Sequence, residues 1–265
     1  MFRRMTIRSL FPALFLFAIS VPPAFAAASP WTETPGGRIR LIVEDAATND
    51  PGGGKGLRGA LQIELKPGWK TYWRNPGDSG VPPQIDLDGG GKAQIAFPVP
   101  MRFTGEDAGG IGYKAPVSLP VTLTPAPGAA RLTGHVFLGV CEKICVPVQA
   151  GFDLPLGQAG PQAEALAART IVETAFDRLP APASPAFGVS KAALDGGTAT
   201  FDLALPDATA PAAFFAASDG LSLSDPVATG HGRFTVKLQG AAKGTVVDYT
   251  IVQDGKAVSG QVTLD

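Results

Sequence analysis

The sequence predicts an all-β protein, built as two β-sandwich domains joined by one amphipathic helix and a Pro/Ala linker. Three observations predict it. Glycine and proline are abundant, 33 and 25 residues of 265, and they separate many short β-branched runs. One stretch near the middle has helical rather than alternating periodicity. Alternating runs then resume beyond a proline-rich joint and continue to the end of the chain.

The first residues stand apart from this pattern. MFRRMTIRSL carries Arg3, Arg4 and Arg8 and no acid, FPALFLFAIS is a short apolar run, and VPPAFAAAS supplies small residues. That order reads as a secretory signal peptide over residues 1–26, with cleavage after Ala26 or as late as Ala28. The apolar run is shorter than the roughly 20 residues a membrane span needs. Removing it leaves 239 residues with 19 basic against 23 acidic side chains. No basic patch stands out, which argues against nucleic acid as a partner. No later stretch is long and apolar enough for a direct membrane span. The expected location is the periplasm.

Strand candidates follow in order. Arg38–Glu44 alternates, and Gly59–Leu65 puts Leu61, Ile63 and Leu65 on one face; the turn-rich Ala46–Gly56 separates them. Ala93–Phe97 and Val117–Leu123 are further candidates. Leu132–Val140 and Val146–Leu154 flank a five-residue turn, so they make a β-hairpin with Cys141 and Cys145 at its neck. These strands form a first domain over residues 30–157. A connecting helix is expected over 160–180, with Pro161 at its start and Pro180 past its end. Val172, Ala175, Phe176 and Leu179 lie on one side of it, suited to packing on a sheet. PAPASPAF (Pro180–Phe187) is an extended, fairly stiff linker. The second domain, 187–265, has strand candidates at Thr198–Leu205, Arg233–Leu238, Thr245–Gln253 and Ala257–Leu264, with a hairpin turn at Asp254–Lys256.

The chemistry of the chain rests on its two cysteines, three residues apart in VCEKICVP (Val140–Pro147). An exported protein meets an oxidising compartment, so the pair can bridge or cycle. A structural staple across so short a loop stabilises by about 2 kcal/mol. A thioredoxin-type site needs C-x-x-C at a helix start, which this is not. Two thiolates could hold Cu(I), a soft ion that prefers sulfur, whereas a closed zinc site needs about four ligands. The available additions are His135, His231 and Met101. His135 shares a strand face with Cys141 but lies about 20 Å away on a regular strand. A fourth reading is a redox couple that exchanges disulfides with another protein, favoured by an accessible hairpin end. There Lys143 favours a thiolate and Glu142 opposes it. Spacing alone leaves the staple, metal and exchange readings open.

VCEKICVP, preceded by GYKAPVSLPVTL (Gly112–Leu123), resembles the amino-terminal periplasmic domain of the thiol:disulfide interchange protein DsbD family. PGWKTYWRNPGDSGVPP (Pro67–Pro83) is similar to the branch that includes the suppressor-of-copper-sensitivity protein ScsB. The resemblance covers Arg38 to Leu156 and is strongest at Trp69–Gly80 and Gly139–Pro147. It implies an immunoglobulin-like β-sandwich with a redox hairpin, so the expected fold is all-β with two immunoglobulin-like sandwiches. It also implies that Cys141 and Cys145 are the catalytic pair, with Cys145 facing the partner. By the same resemblance, electrons arrive from a membrane-embedded thiol reductase and leave to periplasmic thioredoxin-like proteins, such as disulfide isomerases or cytochrome c maturation factors. No metal, flavin or nicotinamide cofactor is implied. The alternatives are a copper-binding or copper-tolerance accessory protein using the same thiols, and an interaction module with a structural disulfide.

Two departures from the family pattern stand out. The family's aromatic cap segment corresponds to TGEDAGGIG (Thr104–Gly112), which has no aromatic residue; Phe103 or Tyr113 are the candidates to replace it. The family's transmembrane reductase does not follow within these residues, so a separate membrane partner is expected. Trp69, Tyr72 and Trp73 could contact a partner or simply fill core. Arg74, Asn75 and Asp78 could fix a turn through side-chain hydrogen bonds, and Gly77 and Gly80 suit turn geometry.

Overall fold

The computed structural model describes residues 25–47, 56–77, 80–103, 109–156 and 161–265. The expected signal peptide up to residue 24, most of the Ala46–Gly56 turn, Asp78 and the 104–108 part of the cap segment lie outside the described residues.

The first unit holds twelve strands: β1 (Phe25–Ala28), β2 (Thr32–Thr34), β3 (Gly37–Ala47), β4 (Leu57–Leu65), β5 (Lys70–Tyr72), β6 (Gln84–Leu87), β7 (Lys92–Ile95), β8 (Met101–Phe103), β9 (Gly110–Tyr113), β10 (Val117–Thr124), β11 (Arg131–Cys141) and β12 (Cys145–Pro155). One sheet runs β1-β3-β4-β10-β7, with β2 also on β3; the other runs β12-β11-β5-β9-β8, with β6 also on β11. Side chains alternate across each strand, so every second residue meets the facing sheet. Ile39, Leu41 and Val43 of β3 and Leu61, Ile63 and Leu65 of β4 point into the sandwich. They meet Leu132, Val136, Leu138 and Val140 of β11 and Val148, Ala150, Phe152 and Leu154 of β12. The β11–β12 hairpin is paired without a break from Arg131–Pro155 up to Cys141–Cys145. This carries the two cysteines to its far end.

The opposite face of β3 and β4 is apolar at Ile42 and Ala60, and the helix α1 (Gln162–Asp177) covers it. Ala165, Ala168, Val172 and Ala175 form its buried stripe. Small residues at three of these positions let the helix lie close to the sheet. Phe176 is half-buried, with the Arg58 guanidinium 4.1 Å from its ring centre. Leu179 falls beyond the helix, in the cleft between the two units.

The second unit comprises β13 (Ala181–Pro182), β14 (Gly188–Asp195), β15 (Thr198–Ala204), β16 (Ala213–Ala217), β17 (Ser222–Leu223), β18 (Val227–Gly230), β19 (Arg233–Gln239), β20 (Val246–Gln253) and β21 (Lys256–Thr263). Its sheets run β13-β21-β20-β16 and β14-β15-β19-β17, with β18 also on β19. Phe201, Phe214, Phe234 and Tyr249 stack in the core between them. The β20–β21 turn has Asp254 at φ 49° and Gly255 at φ 73°, the two positive angles that an Asp-Gly hairpin turn needs. The architecture is all-β, two immunoglobulin-like sandwiches with one α-helix among the described residues.

Strand β16 was not among the sequence candidates, and it joins the two units. Its residues AFFAA do not alternate, because both faces are buried. Phe214 and Ala216 belong to the second core, whereas Phe215 and Ala217 complete the first. A continuous apolar run of this length is ambiguous by periodicity alone.

Candidate functional site

Cys141 and Cys145 are joined by a disulfide, with Cα atoms 4.2 Å apart. Glu142, Lys143 and Ile144 form the exposed tip of the hairpin, and Ile144 is 75% exposed. The two cysteines differ in exposure. Cys141 is 1% exposed, whereas Cys145 is only half-buried.

The floor of the site is Tyr72. Strand β5 pairs with the end of β11 so that Thr71 lies opposite Val140 and Lys70 opposite Cys141. The Thr71 hydroxyl donates to the Gly139 carbonyl at 2.9 Å and locks this register. Tyr72 is fully buried, and its hydroxyl donates to Cys141 Sγ at 2.9 Å while lying 3.1 Å from Cys145 Sγ. Burial pushes the phenol above its ordinary pKa, so it remains a proton donor through neutral pH. A hydroxyl aimed at sulfur favours the thiolate when the disulfide opens.

Phe103 forms the wall. It packs with Tyr72 and both cysteines in one small cluster, edge to face with the Tyr72 ring at 6.0 Å. Lys70 Nζ and Lys114 Nζ lie 5.1 and 5.5 Å from the Phe103 ring centre. Two ammonium groups against this ring hold it by cation–π attraction.

Glycines make the room. A Cβ at Gly80 would stand 2.5 and 2.6 Å from two carbons of the Tyr72 ring, closer than real contacts allow. Gly110, at φ +153°, also lies close to the ring: a Cβ there would meet Pro76 O at 2.8 Å, Tyr72 Cε1 at 3.2 Å and Phe103 Cδ2 at 3.4 Å.

The remaining sequence candidates sit elsewhere. Trp73 is in the sandwich core, edge-on to Phe97 at 6.4 Å and to Phe215 of the second unit at 6.1 Å. Tyr113 is buried in the same core, and its hydroxyl donates to the Pro98 carbonyl at 2.8 Å. Trp69 is half-buried against that core and closes over Gly36. Of the five aromatic candidates, Tyr72 and Phe103 meet the sulfurs in this cluster. His135 pairs with Asp86, Nε2 to Oδ2 3.3 Å, on the exposed side of β11. Among the described residues, no group of three or more His, Cys, Asp or Glu is arranged to hold a metal. No helix among them is long and apolar enough to cross a membrane.

Residues assigned to a turn by sequence have a second role. Asn75 Oδ1 does accept the Gly77 amide at 3.3 Å, but its Nδ2 donates across to Ala216 O at 2.9 Å. Arg74 pairs with Asp248 at 2.8 Å. Arg102, which the sequence did not single out, donates from Nη2 to Phe214 O at 2.9 Å. The sequence signal was proximity alone: Arg74 and Arg102 directly neighbour Trp73 and Phe103, and Asn75 lies two residues from Trp73. Lys70 and Lys114 flank the site on the same footing.

Comparison with known proteins adds the following. Residues 40–156 match the family model for the thiol:disulfide interchange protein DsbD, N-terminal. The crystal structure of the N-terminal periplasmic domain of ScsB from Proteus mirabilis superposes with a TM-score of 0.70 at 20% identity, over 90% of this chain and 98% of that one. It shares the fold of both units. InvD of Yersinia pseudotuberculosis (12% identity; 91% of this chain, 57% of that one) and the Escherichia coli adhesin FdeC (11%; 91% and 62%) superpose with TM-scores of 0.19 and 0.17, too low to carry an argument. No curated protein matches the chain.

Proposed function

We propose, for a chain that belongs through residues 40–156 to the DsbD N-terminal family of thiol:disulfide interchange proteins, that Cys141 and Cys145 relay electrons between a membrane-embedded thiol reductase and thioredoxin-like proteins of the periplasm. The observation that carries this reading is a disulfide at an exposed hairpin end, joining one buried and one half-buried cysteine, with a buried phenol donating to Cys141 Sγ. A signal peptide over residues 1–26 would deliver the chain to that compartment.

The exchange runs in two balanced steps. A donor thiolate attacks Cys145 Sγ, the S–S bond breaks, and Cys141 leaves as a thiolate that accepts the Tyr72 hydrogen bond. A second donor thiol resolves the mixed disulfide and releases Cys145. Reoxidation reverses the roles. Cys145 attacks a partner disulfide, Cys141 closes back on Cys145, and the partner departs with two electrons and two protons. The half-buried position of Cys145 supports its assignment as the partner-facing sulfur. Phe103 would shield the pair from small oxidants between encounters.

The test is a pair of single substitutions combined with a potential. Cys141→Ser leaves Cys145 without its resolving thiol and should accumulate mixed disulfides with thioredoxin-like proteins; Cys145→Ser should accumulate few. The couple should poise at roughly −120 to −270 mV, the range of exchange proteins. A potential below about −300 mV with no trapped partner would mark a structural bridge and reject the relay.

A further inference from the structure

The two segments that hold Tyr72 and Phe103 against the sulfurs also hold the second sandwich. Adjacent side chains on extended backbone point to opposite sides. Tyr72 faces the disulfide, and the next residue, Trp73, faces Phe215 at 6.1 Å. Phe103 faces the disulfide, and the preceding residue, Arg102, places its guanidinium 4.6 Å from the Phe215 ring centre.

Among the described residues, strand β16 is the edge of its sheet, paired with β20. Edge carbonyls need donors once they are buried. Arg102 Nη2 serves Phe214 O and Asn75 Nδ2 serves Ala216 O, both at 2.9 Å. Two side chains of the first unit therefore stand where a further strand would pair. Arg74 adds its ion pair to Asp248, opposite Ala217 on β20.

The two segments are short, and β8 has fewer ties to its own sheet than β5, which also pairs with β11. Strands β5 and β8 have three residues each, and among the described residues β8 is an edge that pairs with β9. Strand β9 links them: Arg102 lies opposite Ile111, whose carbonyl accepts the Trp73 amide at 2.9 Å and whose amide donates to Pro76 O at 3.2 Å. The short strands, their aromatic side chains and β16 form one connected piece.

We propose that the second sandwich is a clamp on the redox site, with Arg102 and Asn75 as positioning residues that hold Phe103 and Tyr72 over the disulfide. This rests on the exchange reading for its purpose, but not for its physics. Docked, the clamp holds Phe103 against the disulfide and slows attack by small molecules; released, it lets β8 swing and speeds that attack.

The test is the rate at which a small water-soluble phosphine reduces Cys141–Cys145 in the full chain, read by mass shift after thiol capping. Arg102→Ala should raise the rate by about tenfold, the factor that losing one charge-assisted hydrogen bond represents. Asn75→Ala should raise it less, and the double variant most. Arg102→Lys, which can still donate to Phe214 O, should restore much of the protection. Arg233→Ala, which breaks an exposed pair with Asp202 inside the second unit, should leave the rate unchanged. In a Phe103→Ala background the effect of Arg102→Ala should vanish, because Arg102 acts through that ring. A purely structural role would lower the melting temperature and leave the rate alone. Wild-type rates in Arg102→Ala and Asn75→Ala would overturn the clamp; the single and lysine variants keep this readable if the double variant fails to fold. The phosphine needs no protein partner, so this outcome is independent of whether the chain exchanges disulfides with thioredoxin-like proteins.

Discussion

The Tyr72 hydroxyl donates to Cys141 Sγ at 2.9 Å from a side chain with no exposed surface. The buried sulfur thus has a proton donor aimed at it from a neighbouring strand. Desolvation in this cluster disfavours a thiolate, and the hydroxyl opposes that penalty. On this geometry Tyr72 sets how good a leaving group Cys141 is.

Tyr72→Phe keeps the ring and removes the donor. The thiolate formed at this pair should become harder to reach. Alkylation of the reduced protein at neutral pH should slow by about tenfold, and its pH profile should move to higher pH. A profile that superposes on wild type would remove Tyr72 from the chemistry. Circular dichroism should show the sheets intact.

Gly80→Ala tests the space behind the ring. The added methyl must displace the Tyr72 ring or the loop that carries residue 80. Overpacking of this kind costs about 1–3 kcal/mol. The hydroxyl should also lose its position, so the variant should combine lower stability with the alkylation defect of Tyr72→Phe. Chemical denaturation and alkylation rates read the two effects separately.

Alkali should destabilise the fold through its buried phenols. Burial raises the pKa of both Tyr72 and Tyr113 above the ordinary value of 10.0. Above that pH the unfolded chain loses phenolic protons that the folded chain retains, so stability falls as pH rises. Below it their contribution is fully present. The melting temperature should drop above pH 10, and less steeply in Tyr113→Phe. Parallel curves for the two proteins would exclude this cause.

Glu44 lies buried under α1, with Oε1 3.2 Å from Arg58 Nη1 and no hydrogen-bond partner for Oε2 among the described residues. Burial raises its pKa above 4.5 despite the opposing attraction of Arg58. Protonation therefore favours folding. That contribution is present below pH 4.5 and is lost as pH rises through the folded value. Glu44→Gln should melt no lower than wild type at pH 7, and its relative standing should decline on acidification. A clear loss of stability at pH 7 would mean that the Arg58 pair outweighs the buried charge.

The features legible in the sequence are those that one segment decides alone. Alternation over Leu61, Ile63 and Leu65 orients β4, because the period of a strand is two residues wherever it sits. The helix announces itself by its prolines and its 3.6-residue stripe. The Asp254–Gly255 turn follows from the positive φ angles that these residues tolerate. The unbroken pairing of β11 with β12 takes the two cysteines to a hairpin end; their spacing alone left staple, metal and exchange open, and the resemblance of VCEKICVP to the DsbD family pointed to exchange.

What segments meet is a different kind of information. Tyr72 and Trp73 are adjacent aromatics of similar character, and their composition does not say which one faces sulfur. That depends on the register between β5 and β11, fixed 68 residues away in sequence by Thr71 and Gly139. Gly80 reads as a turn residue, yet its backbone angle is ordinary; the space it leaves belongs to the Tyr72 ring. Arg102 and Asn75 find their acceptors on β16 more than 100 residues later. β16 itself lacks alternation because its two faces belong to two different cores. Local pattern records the periodicity of a strand, whereas the neighbours of a side chain are chosen only when distant strands dock and their buried polar groups must find partners.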